Sequence, residues 1–420
     1  MSGKIHVIGA GLSGLSAAVW LLKAGRSVAV YEAAGHAGGR CRSYFDENLG
    51  RLIDNGNHLI LSGNRAVYQF MDAIGTEDRL CGPERAEFEF VDLRDGARWT
   101  VRPGAGRVPW WILFKDRRVP GSRLIDYIRA LGLAWANGEE TVSGCLGKQG
   151  ALFEKFWEPL AVSALNTHAD EAAASLLWPV VGETFGRGEA ACRPRIARKG
   201  LSDCFIEPSL NFLAKQSTHV RFGQRLRCFE STEDKITALH FSGDHVIELD
   251  RDDSVILAVP HGAAIKAAPW MQAPRGSRAI VNGHFLLSQA LDHPRILGMV
   301  GGTCHWLFVR DDVASVTVSA ADVLARDDPQ EIAIRMWDEI AQVMGLEGAP
   351  LPAYRIVKEK RATFAQTPEE VARRPGVRTI RPNLFLAGDW TDTGLPATIE
   401  GSLRSGRKAA ETLLATATSP

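Results

Sequence analysis

The feature that most constrains the fold is a glycine-rich turn between a predicted strand and a predicted helix near the start of the chain. Residues Lys4–Ile8 are rich in β-formers and lead directly into Gly9-Ala10-Gly11-Leu12-Ser13-Gly14. A helical pattern then covers Leu15–Lys23, and a second apolar strand, Ser27–Tyr31, ends at Glu32. Strand, glycine turn, helix, strand and acid in this order indicate a dinucleotide-binding βαβ unit.

Each position in this unit has a physical reason to be there. Gly9 permits a tight turn, Gly11 lets the backbone approach a pyrophosphate, and Gly14 lets the helix pack against the strand. The backbone N–H groups of Leu12 and Ser13, at the positive end of the helix dipole, suit an anionic phosphate. Glu32 follows Gly14 by 18 residues, close to the spacing of an acid that binds ribose hydroxyls.

Composition excludes several other classes of protein. The 420 residues are 45% hydrophobic and 23% charged, which is typical of a globular chain. Because 49 basic residues balance 49 acidic ones, no net field recruits nucleic acid, and we expect no such partner. Seven scattered cysteines without a Cys-x-x-Cys pair predict reduced thiols in a cytoplasmic protein and no metal site.

Two further motifs resemble the flavoprotein superfamily of amine oxidases and carotenoid desaturases. The first is Gly38-Gly39-Arg40, just past the second predicted strand. The second is a strand over Asn383–Asp389, followed by Gly394–Gly401 and a predicted helix over Ser402–Leu414. The resemblance implies that FAD is the cofactor and that both chain ends contribute to one site.

The resemblance also implies roles for individual residues. Gly38 and Gly39 pass close to the cofactor, while Arg40 lies near its phosphates or ribityl chain. Gly388 and Asp389 end the last strand, where Asp389 accepts a ribityl hydroxyl. The remaining expected contacts are the backbone of Thr398 and Ile399 beside the isoalloxazine, the backbone of Leu226 beside the adenine, and Asn57 in a segment that borders the flavin.

The fold class that follows is α/β, with a discontinuous Rossmann-like FAD-binding domain of the amine-oxidase (GR2) type and an inserted α+β substrate domain. Between the two motifs lie a predicted helix, short strands and a buried strand, Ser254–Pro260, which suit a chain that leaves the domain and returns. We predict residues 1–85, 198–265 and 380–420 for the FAD-binding domain, and 86–197 and 266–379 for the substrate domain.

Further motifs along the chain narrow the resemblance to the squalene-associated branch of the superfamily, the hydroxysqualene dehydroxylases of bacterial squalene and hopanoid biosynthesis. They are Asp54-Asn55-Gly56-Asn57-His58-Leu59, Gly106-Arg107-Val108-Pro109-Trp110-Trp111, Ala164-Leu165-Asn166-Thr167 and the terminal run Ala387–Gly401. The implied reaction removes an allylic hydroxyl from a C30 isoprenoid reductively. It requires protonation of the hydroxyl, a dry apolar tunnel and a hydride from reduced flavin.

The sequence contains more than one candidate for the proton donor. His58 is the first candidate, since it lies in the segment that borders the flavin and can titrate near neutrality; Asp170 is a second. We expect Asp54 to fix N–H groups of its own turn, and Glu400 to serve the last helix terminus or the flavin. A substrate-assisted ionisation without a dedicated side chain is the alternative.

A short apolar segment suggests contact with a membrane surface. Trp110, Trp111, Ile112, Leu113 and Phe114 are followed by the cations Lys115, Arg117 and Arg118. Tryptophans beside cations suit the headgroup level, so we expect a cytoplasmic protein that is peripheral on the inner face of the membrane. The alternative is that this segment forms ordinary core or tunnel wall.

Two other functions are compatible with the same motifs. An oxidative carotenoid-type desaturase or flavin amine oxidase would move hydride from substrate to flavin. A prenyl-binding escort protein would share the architecture without using flavin. No second nicotinamide site is apparent, because Gly104-Ala105-Gly106 lacks the third glycine, and the sequence does not specify the electron donor.

Overall fold

The structure is a computed structural model that describes residues 3–115 and 117–417. Its strands are β1 (Ile5–Ile8), β2 (Val28–Tyr31), β3 (Ser43–Asp46), β4 (Arg51–Asp54), β5 (Ile60–Leu61), β6 (Leu80–Cys81), β7 (Phe88–Asp92), β8 (Arg98–Val101), β9 (Pro194–Ala197), β10 (Val220–Arg221), β11 (Leu226–Ser231), β12 (Ile236–Phe241), β13 (Val246–Glu248), β14 (Ser254–Leu257), β15 (Ser277–Leu286), β16 (Arg295–Val300), β17 (Trp306–Arg310), β18 (Val313–Val318), β19 (Tyr354–Phe364) and β20 (Leu384–Leu386). Its α-helices are α1 (Leu12–Lys23), α2 (Arg65–Ile74), α3 (Leu124–Arg129), α4 (Val142–Leu146), α5 (Glu158–Leu165), α6 (Ala174–Glu183), α7 (Glu207–Lys215), α8 (His261–Ala267), α9 (Pro329–Met344), α10 (Pro368–Ala372) and α11 (Ile399–Ala417).

A parallel sheet carries the nucleotide-binding half of the molecule. Its order is β10-β2-β1-β14-β20, with β1 at the centre and every neighbouring pair parallel. The three central strands are fully or almost fully buried apolar runs, as expected of a parallel sheet that is covered on both faces. This sheet confirms the predicted Rossmann-like class.

The two helices that follow the glycine motifs pack directly against each other beside this sheet. Helix α1 begins at Leu12, three residues before the predicted start, because Gly11 itself occupies the N-cap position. The Ser16 hydroxyl donates to the carbonyl of Leu403 in α11 at 2.9 Å. A Cβ on Gly406 would collide with the carbonyl oxygen of Ser13, so this glycine permits the close crossing of the two helices.

A second, larger sheet forms the other half of the molecule. Its order is β19-β15-β18-β17-β16-β7-β8, antiparallel except for the parallel pair β16 and β7. Helix α9 packs on one face through buried side chains that include Met336 and Trp337. Its strands come from two separate stretches of chain, so the complete sheet forms only when both insertions have folded.

Three smaller sheets connect these halves. They are β11-β12-β13, the hairpin β3-β4, and β5-β9-β6, in which β9 pairs with strands from the N-terminal region. The strands of the parallel sheet lie inside the ranges predicted for the FAD-binding domain, and those of the large sheet lie inside the substrate ranges. The boundaries themselves stay predictions, and residues 1, 2, 116 and 418–420 of those ranges lie outside the described residues.

Candidate active site

Among the three glycines of the turn, only one has open space where a side chain would begin. Gly9 has φ +106°, a conformation that favours glycine, and a Cβ there would collide with the carbonyl oxygen of Ala258. A Cβ on Gly14 would collide with the carbonyl oxygen of Gly9. A Cβ on Gly11, by contrast, would meet no atom within 4 Å. The turn therefore opens onto free space directly in front of Gly11.

The start of helix α1 and the Glu32 carboxylate flank this space. Leu12 and Ser13 open the helix, where backbone N–H groups have no partner in the preceding turn. Glu32 accepts hydrogen bonds from the backbone N–H groups of Ala10 and Ala34, each at 2.8 Å. These two bonds fix the carboxylate beside the turn and leave lone pairs for further donors. The pattern suits the ribose and pyrophosphate of a dinucleotide.

A second pair of glycines lies opposite the turn. The N–H of Gly38 donates to the carbonyl of Ala10 at 2.8 Å. Gly38 and Gly39 have φ +99° and +55°, and a Cβ on Gly39 would lie 3.6 Å from the Cα of Gly11. Backbone without side chains thus borders the free space on both sides.

An ion pair joins the two chain ends. Both terminal nitrogens of Arg40 bind the Asp389 carboxylate, Nη2 to Oδ1 and Nη1 to Oδ2, each at 2.9 Å. Arg40 also donates to the carbonyl of Ala362. Asp389 is buried, and its neighbour Gly388 donates its N–H to Ser405 Oγ at 3.0 Å. The N-terminal and C-terminal motifs therefore form one site.

The remaining residues predicted to hold the cofactor lie on several other elements. The Thr398 hydroxyl accepts from the Gly401 N–H at 3.1 Å and so caps α11, in which Ile399 is the first residue. Leu226 starts β11, two residues after Gln224, whose N–H donates to the Glu32 carbonyl at 2.8 Å. Asn57 donates to Thr317 Oγ1 at 3.0 Å, so its side chain turns toward the large sheet.

Glu400 serves a helix other than the one that contains it. Its two carboxylate oxygens accept from the N–H groups of Ala66 and Val67, both at 3.0 Å, in the first turn of α2. Arg404 pairs with the same carboxylate at 3.0 Å. The expectation that Glu400 serves its own helix terminus is therefore wrong, because tertiary packing brings α2 against α11.

A small cavity of about 30 Å³ lies where the segment after β4 meets strands β17 and β18. Its polar lining consists of Asp54, Asn57, His58, Arg310 and Ser315, and its apolar lining consists of Ile196, Ala197, Leu201, Phe308 and Val313. A space of this size takes one water-sized polar group, such as a hydroxyl, rather than a whole ligand.

Asp54 organises the polar side of this cavity. One carboxylate oxygen accepts from the Leu201 N–H at 2.9 Å and the Ser43 hydroxyl at 2.6 Å, and the other accepts from Arg310 at 3.0 Å. Leu201 and Arg310 come from distant segments and Ser43 from the neighbouring strand β3, so the expectation that Asp54 serves its own turn is wrong. The pairing with Arg310 neutralises both charges beside the cavity.

The two candidate proton donors lie in different surroundings. His58 lines the cavity, and burial lowers its pKa to about 4, with the positive charge of Arg40 adding to the effect. The expectation that it titrates near neutrality is therefore wrong, and at pH 7 its imidazole is neutral. Asp170 is exposed on a surface turn and is not part of the cavity lining, so the structure does not support it as a proton donor.

Arg310, Ser315 and Phe308 are lining residues that the sequence does not single out. They lie in strands β17 and β18, which read as ordinary buried strands without a motif. Their proximity to His58 depends on pairing between strands that are far from His58 in the sequence. No local signal identifies them.

The predicted membrane segment lies on the surface. Trp110, Leu113 and Phe114 are more than half exposed, while Trp111 and Ile112 are half-buried. None of these side chains is fully buried, which disfavours ordinary core. No helix among the described residues has the length and apolar character needed to cross a bilayer.

Comparison with known proteins identifies the family. A family model described as flavin containing amine oxidoreductase matches residues 12–414. The hydroxysqualene dehydroxylase of Rhodopseudomonas palustris is 46% identical, with 99% of each chain covered, and that of Sinorhizobium fredii is 47% identical, with the same coverage. The chain belongs to the hydroxysqualene dehydroxylase family.

Membership of this family confirms the predicted resemblance, the FAD cofactor and an FAD-dependent oxidoreductase. Among solved structures, the cyclohexylamine oxidase of Brevibacterium oxydans IH-35A aligns with a TM-score of 0.71 at 17% identity, covering all of both chains. This likeness shows that the chain has the same fold as that amine oxidase.

Proposed function

We propose that this protein removes the hydroxyl of hydroxysqualene reductively to give squalene. The observation that carries the proposal is the end-to-end match to hydroxysqualene dehydroxylases. In the balanced reaction, the C–O bond breaks, a proton joins the hydroxyl to form water, and a hydride forms the new C–H bond. The oxidative alternative, a carotenoid-type desaturase or amine oxidase, moves hydride in the opposite direction.

The chain's own residues would hold FAD along the free space in front of Gly11. The N-terminus of α1 would face the pyrophosphate, and Glu32 would accept the ribose hydroxyls. Asp389, held by Arg40, lies where the C-terminal motif meets the glycine pair. When bound in its reduced form, FAD supplies the hydride.

The cavity beside His58 would take the hydroxyl group of the substrate. Its apolar lining would exclude water from the allylic carbon, while Asp54 and Arg310 hold each other in a neutral pair. Because the His58 imidazole is neutral at pH 7, it would orient the hydroxyl through a hydrogen bond rather than donate a proton from an imidazolium. The departing water would leave toward this polar side.

We also propose that the protein works at the inner face of the membrane. A C30 isoprenoid is concentrated in the bilayer because its burial in hydrocarbon is favourable. The exposed side chains of Trp110, Leu113 and Phe114, next to cations, suit a peripheral contact. The partners in this proposal are the isoprenoid and the lipid surface.

The test is anaerobic incubation of chemically reduced holoenzyme with hydroxysqualene, with products separated by chromatography. We expect squalene in stoichiometric amount and reoxidation of the flavin absorbance bands. Reoxidation without squalene, or no reaction, would contradict the proposal. Turnover of an amine or carotene precursor by the oxidised enzyme would favour the oxidative alternative, and a purified protein without flavin bands after addition of FAD would favour a prenyl-binding escort.

A further inference from the structure

A second apolar stripe lies on the surface close to the predicted membrane segment. Helix α3 and the 3-10 turn that continues it, Ala130–Trp135, expose the large side chains of Leu124, Ile128, Leu131 and Trp135. Ile128 is 56% exposed and Trp135 is 77% exposed. Spacings of four, three and four residues place one side chain on each successive turn. Such a row normally faces a protein core, but here it faces solvent.

Aromatic packing joins this stripe to the segment around Trp110. The ring of Tyr127 in α3 meets the ring of Trp111 edge-on, with 5.8 Å between centroids. The Tyr127 hydroxyl also accepts from the Val119 N–H at 2.9 Å. The two segments are therefore tied together on one side of the molecule. We call the combined surface the apolar face; it consists of Val108, Trp110, Leu113, Phe114, Leu124, Ile125, Ile128, Leu131 and Trp135.

The apolar face is bordered by positive charge. Residues 107–135 contain six basic and two acidic residues, in a chain whose net charge is zero. The Arg117 guanidinium lies over the Phe114 ring, 5.7 Å from its centroid. Asp126 accepts from the backbone N–H of Arg123 at 2.8 Å. Large apolar side chains in a segment rich in cations match a bilayer surface that carries anionic headgroups.

We propose that the apolar face docks on a bilayer containing anionic lipids and that the stripe on α3 forms half of the contact. The reason for a bilayer, rather than another apolar partner, is charge. Two copies of this chain meeting through the same face would bring like charges together, which is unfavourable. The proposal deepens the membrane location and rests on the proposed function only for the identity of the lipid substrate.

The apolar face is also linked to the cavity through packing. Trp111 and Tyr127 pack against the large apolar cluster that includes Ile196 and Phe308, and both of these residues line the cavity. Docking through this face would therefore bring the bilayer to the side of the protein that is joined to the cavity by continuous apolar side chains.

The test is co-sedimentation of full-length holoenzyme with vesicles of phosphatidylcholine, with and without phosphatidylglycerol. The triple variant Leu124→Gln, Ile128→Gln, Leu131→Gln leaves the Trp110 segment unchanged. We expect it to weaken binding by about 100-fold or more, since each aliphatic side chain loses its burial in lipid. The matched control is Val323→Gln, Ile380→Gln, which alters two aliphatic residues that are even more exposed elsewhere and should bind as the wild type does.

A second variant, Arg117→Gln with Arg129→Gln, tests the charge without altering the apolar side chains. We expect about a fivefold loss for each arginine on vesicles with phosphatidylglycerol and little change on phosphatidylcholine alone. The proposal would be overturned if the triple variant bound vesicles with the affinity of the wild type, or if the wild type did not bind vesicles. A wild-type dimer that the triple variant converts to a monomer would instead assign the face to self-association.

The proposed function and this proposal fail separately. Turnover of hydroxysqualene in detergent micelles does not require vesicle binding, so we expect the triple variant to retain it. If micellar turnover is absent in the wild type while vesicle binding depends on the stripe, the catalytic proposal is wrong and the docking face stands. If turnover is present while the triple variant binds vesicles as the wild type does, the catalytic proposal stands and the docking proposal is wrong.

Discussion

Replacing Gly11 and Gly14 separately by alanine should have different effects. Gly11→Ala should weaken cofactor binding, and Gly14→Ala should lower the stability of the fold. At Gly11 the backbone has φ −73° and the added Cβ meets nothing within 4 Å, so alanine fits the protein itself. Its methyl group, however, points into the space assigned to the pyrophosphate. At Gly14 the Cβ collides with the carbonyl of Gly9 and lies 3.3 Å from the Ala258 Cβ, so the helix must move.

The expected magnitudes differ in kind. Overpacking costs about 1–3 kcal/mol, so Gly11→Ala should weaken FAD binding by roughly 10- to 100-fold while the free energy of unfolding without cofactor changes by less than about 0.5 kcal/mol. Gly14→Ala should lower the free energy of unfolding by about 1–2 kcal/mol, after the better helix propensity of alanine is counted. For a chain of this size that is a fall of about 2 °C in melting temperature.

The assay measures both quantities on the same preparations. FAD is titrated into stripped protein and followed by quenching of flavin fluorescence, and thermal unfolding is followed without FAD. If Gly11→Ala binds FAD with the wild-type affinity, the space in front of Gly11 is not the pyrophosphate site. A Gly14→Ala protein with unchanged melting temperature would contradict the packing argument for that glycine.

Four further predictions follow from other contacts. Asp389→Asn weakens the bidentate pair with Arg40 and should lower the FAD content of purified protein, measured by absorbance; an unchanged content would contradict a role for the pair in the site. His58→Ala should slow turnover of hydroxysqualene without preventing photoreduction of the flavin, and wild-type rates would remove it from the reaction. His284 is buried, and burial lowers its pKa to about 4. On acidification the unfolded chain therefore protonates this histidine at a higher pH than the folded protein does, so the free energy of unfolding should fall by about 3 kcal/mol between pH 6.5 and 4. His284→Gln should reduce this pH dependence in urea unfolding, and an identical pH dependence would refute the assignment. Glu400→Gln removes a buried charge from Arg404 and from the first turn of α2, and should lower the free energy of unfolding by roughly 2–4 kcal/mol in the same assay, whereas a loss within error would show that the bond network reorganises.

Much of the nucleotide-binding half was predictable from short stretches of sequence. The glycine turn, the strand before it and the acid after the second strand occur within 32 residues. Their geometry is set by backbone conformation over a few residues, as the φ of +106° at Gly9 illustrates. Only element boundaries moved, for example the start of α11 at Ile399 rather than Ser402, because the cap of a helix depends on the preceding turn.

The candidate site was predictable only in part. The sequence singled out His58, which lines a cavity, but its pKa follows from the protein packed around it rather than from its sequence neighbours. Glu400 illustrates the same limit, since its partners Ala66 and Val67 lie more than 330 residues away. Their identity depends on how two helices cross.

The sequence by itself determined the family, the cofactor class and the local geometry of the dinucleotide turn, because these follow from side-chain size and backbone freedom within a few neighbouring residues. The tertiary structure alone decided that Arg40 pairs with Asp389 and that Arg310 and His58 share one cavity. It also decided that Leu124, Ile128, Leu131 and Trp135 face solvent. The physical reason is that exposure, ion pairing and pKa depend on which distant segments are brought together, and periodicity along the chain does not contain that information.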